Sequence, residues 1–394
     1  MALRILFGMA TGALLGAFVA PHAPWLVDLV ARPAGALFMR LLLVLVMPLA
    51  AAALVLGIAE LKPGALGGVA SRALGLTVAL TATAVGVGVF LVTVVHPGRG
   101  IDRSALPAGK PVAAIDTPPI DTFVNMVPDN VIAAAAKGDL LGVLLVAVLV
   151  GLAVRRSSGE PARRLVEWVQ GLFDVLVVGV QMVMKLAPVG VAGLTCVLVA
   201  RTGLEGLAPL ARFVAVVVGA ILIQGIVVYG AALHLLARRS PLAFYRAIQP
   251  ALAVAFSTAS SAATLPTTLR VADSGLGLRP DLARFVLTVG ASANQNGTAL
   301  FEGVSVLFLA QLYGVDLSVS QSALIVIVSI AAGVGTAGVP GASLPVIAAL
   351  ATAVGLPPES VGVLVGFDRI LDMCRTTLNV AGDLVIAACV DAEG

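Results

Sequence analysis

The chain has 394 residues, 59% of them hydrophobic and 11% charged, with a formal net charge of +3. Soluble domains carry about a quarter charged residues, so this composition excludes a soluble protein and points to a polytopic membrane protein. The three cysteines and three histidines suggest neither a disulfide framework nor a metal centre. The absence of a G-x-x-x-x-G-K loop argues against ATP-driven pumping, and nothing in the sequence indicates nucleic acid as a partner.

In chain order, the N-terminus MALRILFGMATGALLGAFVAPHAP has the charge and apolar run of a signal peptide. A first transmembrane helix with a cytoplasmic N-terminus fits the following segments better. Apolar runs of spanning length then cover approximately residues 5–20, 37–58, 73–95, 140–154, 166–199 and 213–236. The loop cations Lys62, Arg72, Arg155, Arg156, Arg163, Arg164, Arg238, Arg239 and Arg246 fall on one side and orient the chain by the positive-inside bias. Arg32, Arg99, Arg103, Lys110 and Arg201, with the long connection 98–130, fall on the other.

Beyond residue 250 the pattern is interrupted. Residues 251–269 and 334–350 each lead a run of small residues into Leu-Pro, as AATLP (262–266) and GASLP (341–345). Paired interruptions of this kind point to a transporter site built from half-helices, because freed backbone groups are tolerated in a bilayer only where they line a cavity. Ordinary packing through small residues accounts for the Gly and Ala but not for the Ser-Ser and Thr clusters. Between them, GASANQNGTALFEG (290–303) gathers Asn294, Gln295, Asn296 and Thr298, which breaks an apolar helix and offers oxygen ligands suited to hard cations. Glu302 lies one turn after Thr298.

The final apolar segment, 361–390, carries Asp368, Arg369, Asp372, Arg375, Asn379 and Asp383. At about 100° per residue the last four form one stripe. An Asp or Arg at mid-bilayer costs roughly 2.5–3.5 kcal/mol, so the stripe must face protein or a polar cavity. A substrate or ion site is the leading reading, and a structural ion-pair network the alternative.

Together SSAATLP, NQNGTALFEG, GTAGVPGASLP and DRILDMCRTTLNVAGD resemble the dicarboxylate/amino acid:cation symporter family, which includes prokaryotic glutamate/aspartate transporters and the mammalian excitatory amino acid transporters. FMRLLLVLVMPL (38–49) and NMVPDN (125–130) extend the resemblance over nearly the whole chain. The resemblance implies an all-α membrane protein with eight transmembrane helices, two re-entrant helical hairpins and inverted repeats. It further implies a homotrimer in the cell (inner) membrane, with both termini cytoplasmic, working as an elevator. A scaffold of approximately 1–70 and 120–200 would hold a transport domain of approximately 71–97 and 205–394, with hairpins at 245–270 and 319–354.

By the same resemblance, Arg375 binds the substrate's distal carboxylate, Asp372 its α-amino group and Asn379 its α-carboxylate. Ser260, Ser261, Thr298 and Thr376 line the pocket, and Val339, Gly341 and Ser343 belong to the gating second hairpin. An acidic residue at 372 with a basic one at 375 reads as an aspartate or glutamate site, with a C4-dicarboxylate carrier as the runner-up. One sodium site resembles Gly290, Asn294, Asn379 and Asp383, and a second Ser292, Gly333, Val334 and Thr336. A third departs from the family: N-M-D-G-T becomes NQNGT, so Asn296 replaces a carboxylate, with Thr77, Leu80 and Thr81 at its partners' positions. Glu302 stands where mammalian members carry a proton-translocating glutamate, making protons and/or sodium the expected coupling ions, with no cofactor. Ala259 and Met373 occupy places where relatives carry an Arg, which leaves Asp372 without the partner familiar there. A channel, or an intramembrane aspartyl protease suggested by Gly382-Asp383, fits less well: the acids 368, 372 and 383 share one helix, so the chain is expected not to be an enzyme.

Overall fold

The computed structural model describes residues 2–59, 67–99, 127–137, 140–157, 159–335 and 343–392. Among these, all regular structure is helical. The first part comprises α1 (Ala2–Leu14), α2 (Arg32–Ala59), α3 (Gly67–Val95), α4 (Val131–Lys137), α5 (Leu140–Arg156), α6 (Glu160–Met184) and α7 (Ala187–Thr202). The single apolar stretch expected at 166–199 is therefore two helices. A turn at Lys185 and Leu186 separates them, and Pro188 sits in the first turn of α7, where its missing N–H and fixed φ are favourable.

Tight packing of α1 on α7 follows from residue size. Gly8, Gly12 and Gly16 recur every four residues on one face of the N-terminal helix. A Cβ on them would lie 2.2 Å from the Pro188 carbonyl oxygen, 2.2 Å from that of Ala192 and 2.6 Å from that of Cys196. These backbones touch because nothing larger than hydrogen separates them, the small-residue contact that membrane helices use in place of a hydrophobic driving force. α2 packs against α5, α6 and α7, completing a first group of helices.

The second group begins with α8 (Ala208–Leu222), which continues through a widened turn into α9 (Tyr229–Leu235). Next come α10 (Pro241–Thr258) and α11 (Ser261–Arg270), which pack on each other as a hairpin. Its tip is set by Ala259 in the left-handed region (φ 51°) and by Ser260, whose hydroxyl caps α11 by accepting from the Ala263 N–H at 3.2 Å. An Ala in that conformation costs about 1–2 kcal/mol, so the tip is held by its surroundings. α12 (Pro280–Ala293) and α13 (Asn296–Tyr313) are separated by the extended Asn294 and Gln295, as the polar knot in the sequence predicts. α14 (Val319–Gly335) and α15 (Ser343–Ala353) flank the second predicted hairpin tip, and α16 (Val365–Ala392) closes the fold. Three expected site residues at that tip, Thr336, Val339 and Gly341, lie outside the described residues, as do the side chains of Ser292 and Val334.

Among the described residues four helical stretches are long and apolar enough to cross a membrane: Ser71–Val95, Glu160–Met184, Leu204–Leu235 and Val365–Ala392. They are used differently. Of its most apolar window, Glu160–Met184 buries 11%, leaving Trp168, Val175, Val178 and Met182 exposed, whereas Val365–Ala392 buries 83%. The helix with the charged stripe is thus the one surrounded by protein, packed by α10, α12 and α13. That arrangement removes the cost of presenting Asp and Arg to lipid.

Candidate functional site

Four polar clusters form where α13 and α16 meet. In the first, Arg375 is fully buried. Its Nη2 donates to Asp372 Oδ1 at 2.9 Å and to Asp368 Oδ1 at 3.0 Å, and its Nη1 to the Ser343 hydroxyl at 2.7 Å. The guanidinium lies 3.9 Å above the centroid of the Phe301 ring. Steps of four and three residues put Asp368, Asp372 and Arg375 on one face of α16, and Ser343 reaches them from the start of α15. Among the described residues the buried Nε–H has no hydrogen-bond partner, so one donor of the planar fork is open to a further acceptor. Asp372 pairs with two cations, Arg375 and Arg369, whose Nη1 lies 3.6 Å from its Oδ2. Asp372 thus stands without the Arg familiar at 259 or 373, and Arg369, one turn before it, lies beside it. Arg369 also donates to the Thr258 carbonyl at 3.5 Å, tying α16 to the first hairpin's tip.

The second cluster joins the start of α13 to α16. Asn379 Oδ1 accepts the Gly297 N–H at 2.7 Å, and its Nδ2 donates to Gln295 Oε1 at 2.6 Å and to the Thr298 hydroxyl at 3.4 Å. The Gln295 N–H in turn donates to the Gly333 carbonyl at 2.9 Å, connecting the break to α14. Thr376 and Ser261 are buried on their own helices, and among the described residues the Ser261 hydroxyl has no partner. Ser260 is half-buried and occupied as the cap of α11.

In the third cluster Asn294 Nδ2 donates to Asp383 Oδ1 at 2.7 Å, while Asn294 Oδ1 is buried and, among the described residues, unpartnered. Gly290 leaves room for the carboxylate, since a Cβ there would lie 2.5 Å from Asp383 Oδ1. Gly290→Ala therefore costs about 1–3 kcal/mol of stability through overpacking and displaces Asp383 from Asn294. Thermal unfolding of the purified variant measures this, and an unchanged midpoint contradicts it.

The fourth cluster contains the residues of the altered position. The Thr81 hydroxyl lies 2.5 Å from Asn296 Oδ1 and 2.7 Å from the Thr77 carbonyl oxygen, its one proton serving one acceptor at a time. Asn296 Nδ2 donates to the Tyr229 hydroxyl at 2.7 Å. Thr77 contributes its backbone, Leu80 a carbonyl that accepts from Gln224 Nε2 at 3.0 Å. Both ends of the Asn296 amide are thus engaged, spanning α3, α9 and α13.

Glu302 stands apart. It is fully buried on α13, and among the described residues neither carboxyl oxygen has a hydrogen-bond partner.

Sequence reasoning missed Phe301, Tyr229 and the pairing of Asp368. Asp368 was legible as the next member of the stripe at i−4 from Asp372. Tyr229 is one of only three tyrosines and sits in an apolar run, where its register against α13 is a tertiary fact.

A family model described as "Sodium:dicarboxylate symporter family" matches residues 1–393. The chain belongs to the sodium:dicarboxylate symporter family. It is 35% identical over 407 residues to a proton/glutamate-aspartate symporter of Escherichia coli K12, covering 98% of this chain and 92% of the relative. It is 32% identical over 398 residues to a proton/sodium-glutamate symport protein of Geobacillus stearothermophilus, covering 98% and 93%. Excitatory amino acid transporter 2 of Rattus norvegicus is 31% identical over 437 residues, covering 96% of this chain and 76% of the relative. Matches of this length place the four clusters inside the family's shared frame rather than in an appended domain.

Proposed function

We propose that this family member is a secondary active symporter of an acidic amino acid, aspartate or glutamate, driven by protons and/or sodium. The observation that carries the reading is the buried Arg375, held by Asp368, Asp372, Ser343 and Phe301 with its Nε–H open. A guanidinium fixed in plane suits a carboxylate bidentately. Without substrate its charge is balanced by two carboxylates, and an incoming carboxylate competes with Asp368 and Asp372 for the same donors. Freed in this way, Asp372 is the acceptor for the α-amino group. Asn379 presents an N–H toward Thr298 and serves the α-carboxylate, with Ser261, Thr376 and the second hairpin around it. The names of the three relatives, all glutamate or glutamate-aspartate carriers or excitatory amino acid transporters, support the substrate class.

Asp383 and Asn294 Oδ1 form a donor set of the kind hard cations prefer, and Gly290, Asn379, Ser292, Gly333, Val334 and Thr336 complete two candidate sodium sites. At Asn296 the amide N–H groups take the place of a cation, so one fewer sodium accompanies each substrate, and Glu302 carries the proton instead. Asn296→Asp exchanges a donor for a carboxylate and restores a need for positive charge. In that variant sodium tightens aspartate binding by roughly tenfold more than in the wild type, within the usual range of linked sites. Equal sodium responses in the two proteins would count against the assignment.

The denser packing within α1, α2, α5, α6 and α7, and within α3 and α8–α16 around the four clusters, than between the two groups supports an elevator in which the second group moves along the first. Eight spans, two re-entrant hairpins, a homotrimer in the cell membrane and cytoplasmic termini complete this reading. One observation favours the C4-dicarboxylate alternative: Asp372 already has two cationic neighbours, so it does not require a substrate ammonium. Competition decides between them. Excess aspartate suppresses labelled aspartate uptake and equal succinate does not. Equal suppression by succinate favours the dicarboxylate carrier.

A further inference from the structure

Apart from the four clusters, a cavity of ≈ 550 Å³ lies among α1, α2, α7, α8 and the segment entering α16. Its walls are apolar along Met9, Met39, Leu198, Leu210 and Phe367, and cationic at Arg32, Arg40 and Arg201. Among the described residues no acidic side chain lines it. Arg32 has an exposed partner, Asp28, at 3.5 Å. Among the described residues neither Arg40 nor Arg201 forms an ion pair, and the nearby Glu205 on the Leu204–Leu207 turn is exposed. Arg201 has a local reason to be where it is, since it stands in the last turn of α7, where the helix dipole favours a cation. Arg40 has none. It sits within the 28-residue apolar α2, where an unpaired Arg is costly.

An apolar slot with a doubly cationic rim, in a chain that spans a bilayer, matches one molecule present at high concentration beside it. We propose that this cavity holds one anionic glycerophospholipid of the surrounding membrane, with its phosphate on Arg40 and Arg201 and an acyl chain along Met9, Met39, Leu198 and Phe367. The phosphodiester, with one negative charge, accepts hydrogen bonds from both guanidinium groups, and the chain fills space that would otherwise leave the lining without contacts. This site is independent of the amino acid pocket, so its fate does not decide that of the transport reading.

The test is native mass spectrometry of the purified, detergent-solubilised full chain with added phosphatidylglycerol or phosphatidylcholine. The wild type retains one phosphatidylglycerol per chain in preference to phosphatidylcholine by roughly tenfold, as two interfacial Arg contacts imply. The double variant Arg40→Gln/Arg201→Gln loses this preference. Arg40→Lys/Arg201→Lys keeps it, as does Arg155→Gln/Arg156→Gln at the exposed end of α5. Equal retention of the two lipids by the wild type overturns the proposal, and so does undiminished preference in the glutamine pair or loss of preference in the lysine pair. Should the glutamine pair not fold, the wild-type discrimination and the lysine pair decide the matter.

Discussion

Arg375→Ala abolishes concentrative aspartate uptake and weakens aspartate binding by at least roughly a hundredfold, because truncating one partner of a buried, hydrogen-bonded charge pair costs about 2–5 kcal/mol. The side chain is fully buried and is the shared donor to Asp368, Asp372 and Ser343. Its loss removes the cation that faces both carboxylates, leaving Arg369 to serve Asp372 from 3.6 Å. The variant is therefore also less stable, since uncompensated buried charge is strongly destabilising. Two measurements separate these effects. Binding is read by equilibrium titration at a temperature where the variant remains folded, and folding by thermal unfolding. Arg375→Lys keeps the charge but lacks the planar fork, and it recovers stability more fully than affinity. Wild-type affinity in Arg375→Ala would show that the guanidinium serves the fold and not the substrate.

Glu302→Gln removes the response of uptake to an imposed proton gradient while leaving aspartate binding within about a few-fold of wild type. The carboxyl is buried and, among the described residues, makes no hydrogen bond to any of the groups assigned to substrate. Burying an unpaired carboxylate costs far more than burying the neutral acid, so the residue crosses the membrane interior most cheaply with a proton. Glutamine imitates the protonated state in shape and polarity but cannot release a proton. Uptake by the variant is accordingly insensitive to pH on either side, and exchange of internal for external aspartate persists. A variant whose uptake follows the proton gradient as the wild type does would place the proton elsewhere.

Much of the site was legible because helical periodicity and the cost of charge in a membrane act together. A stripe of Asp, Arg and Asn in an apolar helix admits few explanations, and the structure buries the whole stripe. The helix break at Asn294 and Gln295 was legible for the same reason: consecutive amide side chains do not sit in an otherwise apolar spanning helix without a purpose. Other features lie in relations between distant residues. Phe301 reads as one more apolar position, and only the packing of α13 on α16 sets its ring over Arg375. Tyr229 lies 67 residues from the Asn296 it bonds. Arg369 faces Asp372 by an i, i+3 step, yet the expected partners drew attention to Ala259 and Met373 and away from it. The Gly8, Gly12 and Gly16 ladder is regular in sequence, but its meaning comes from the α7 backbone carbonyls it touches. The hairpin tip at Ala259 has no glycine to announce its left-handed residue.

The most direct test is uptake of radiolabelled aspartate into proteoliposomes containing the purified chain, with the proton and sodium gradients imposed separately. The account predicts accumulation above equilibrium under an inward proton gradient, with the Glu302→Gln variant silent to that gradient and Arg375→Ala silent to both. Aspartate that only equilibrates under either gradient, with no accumulation, would contradict it.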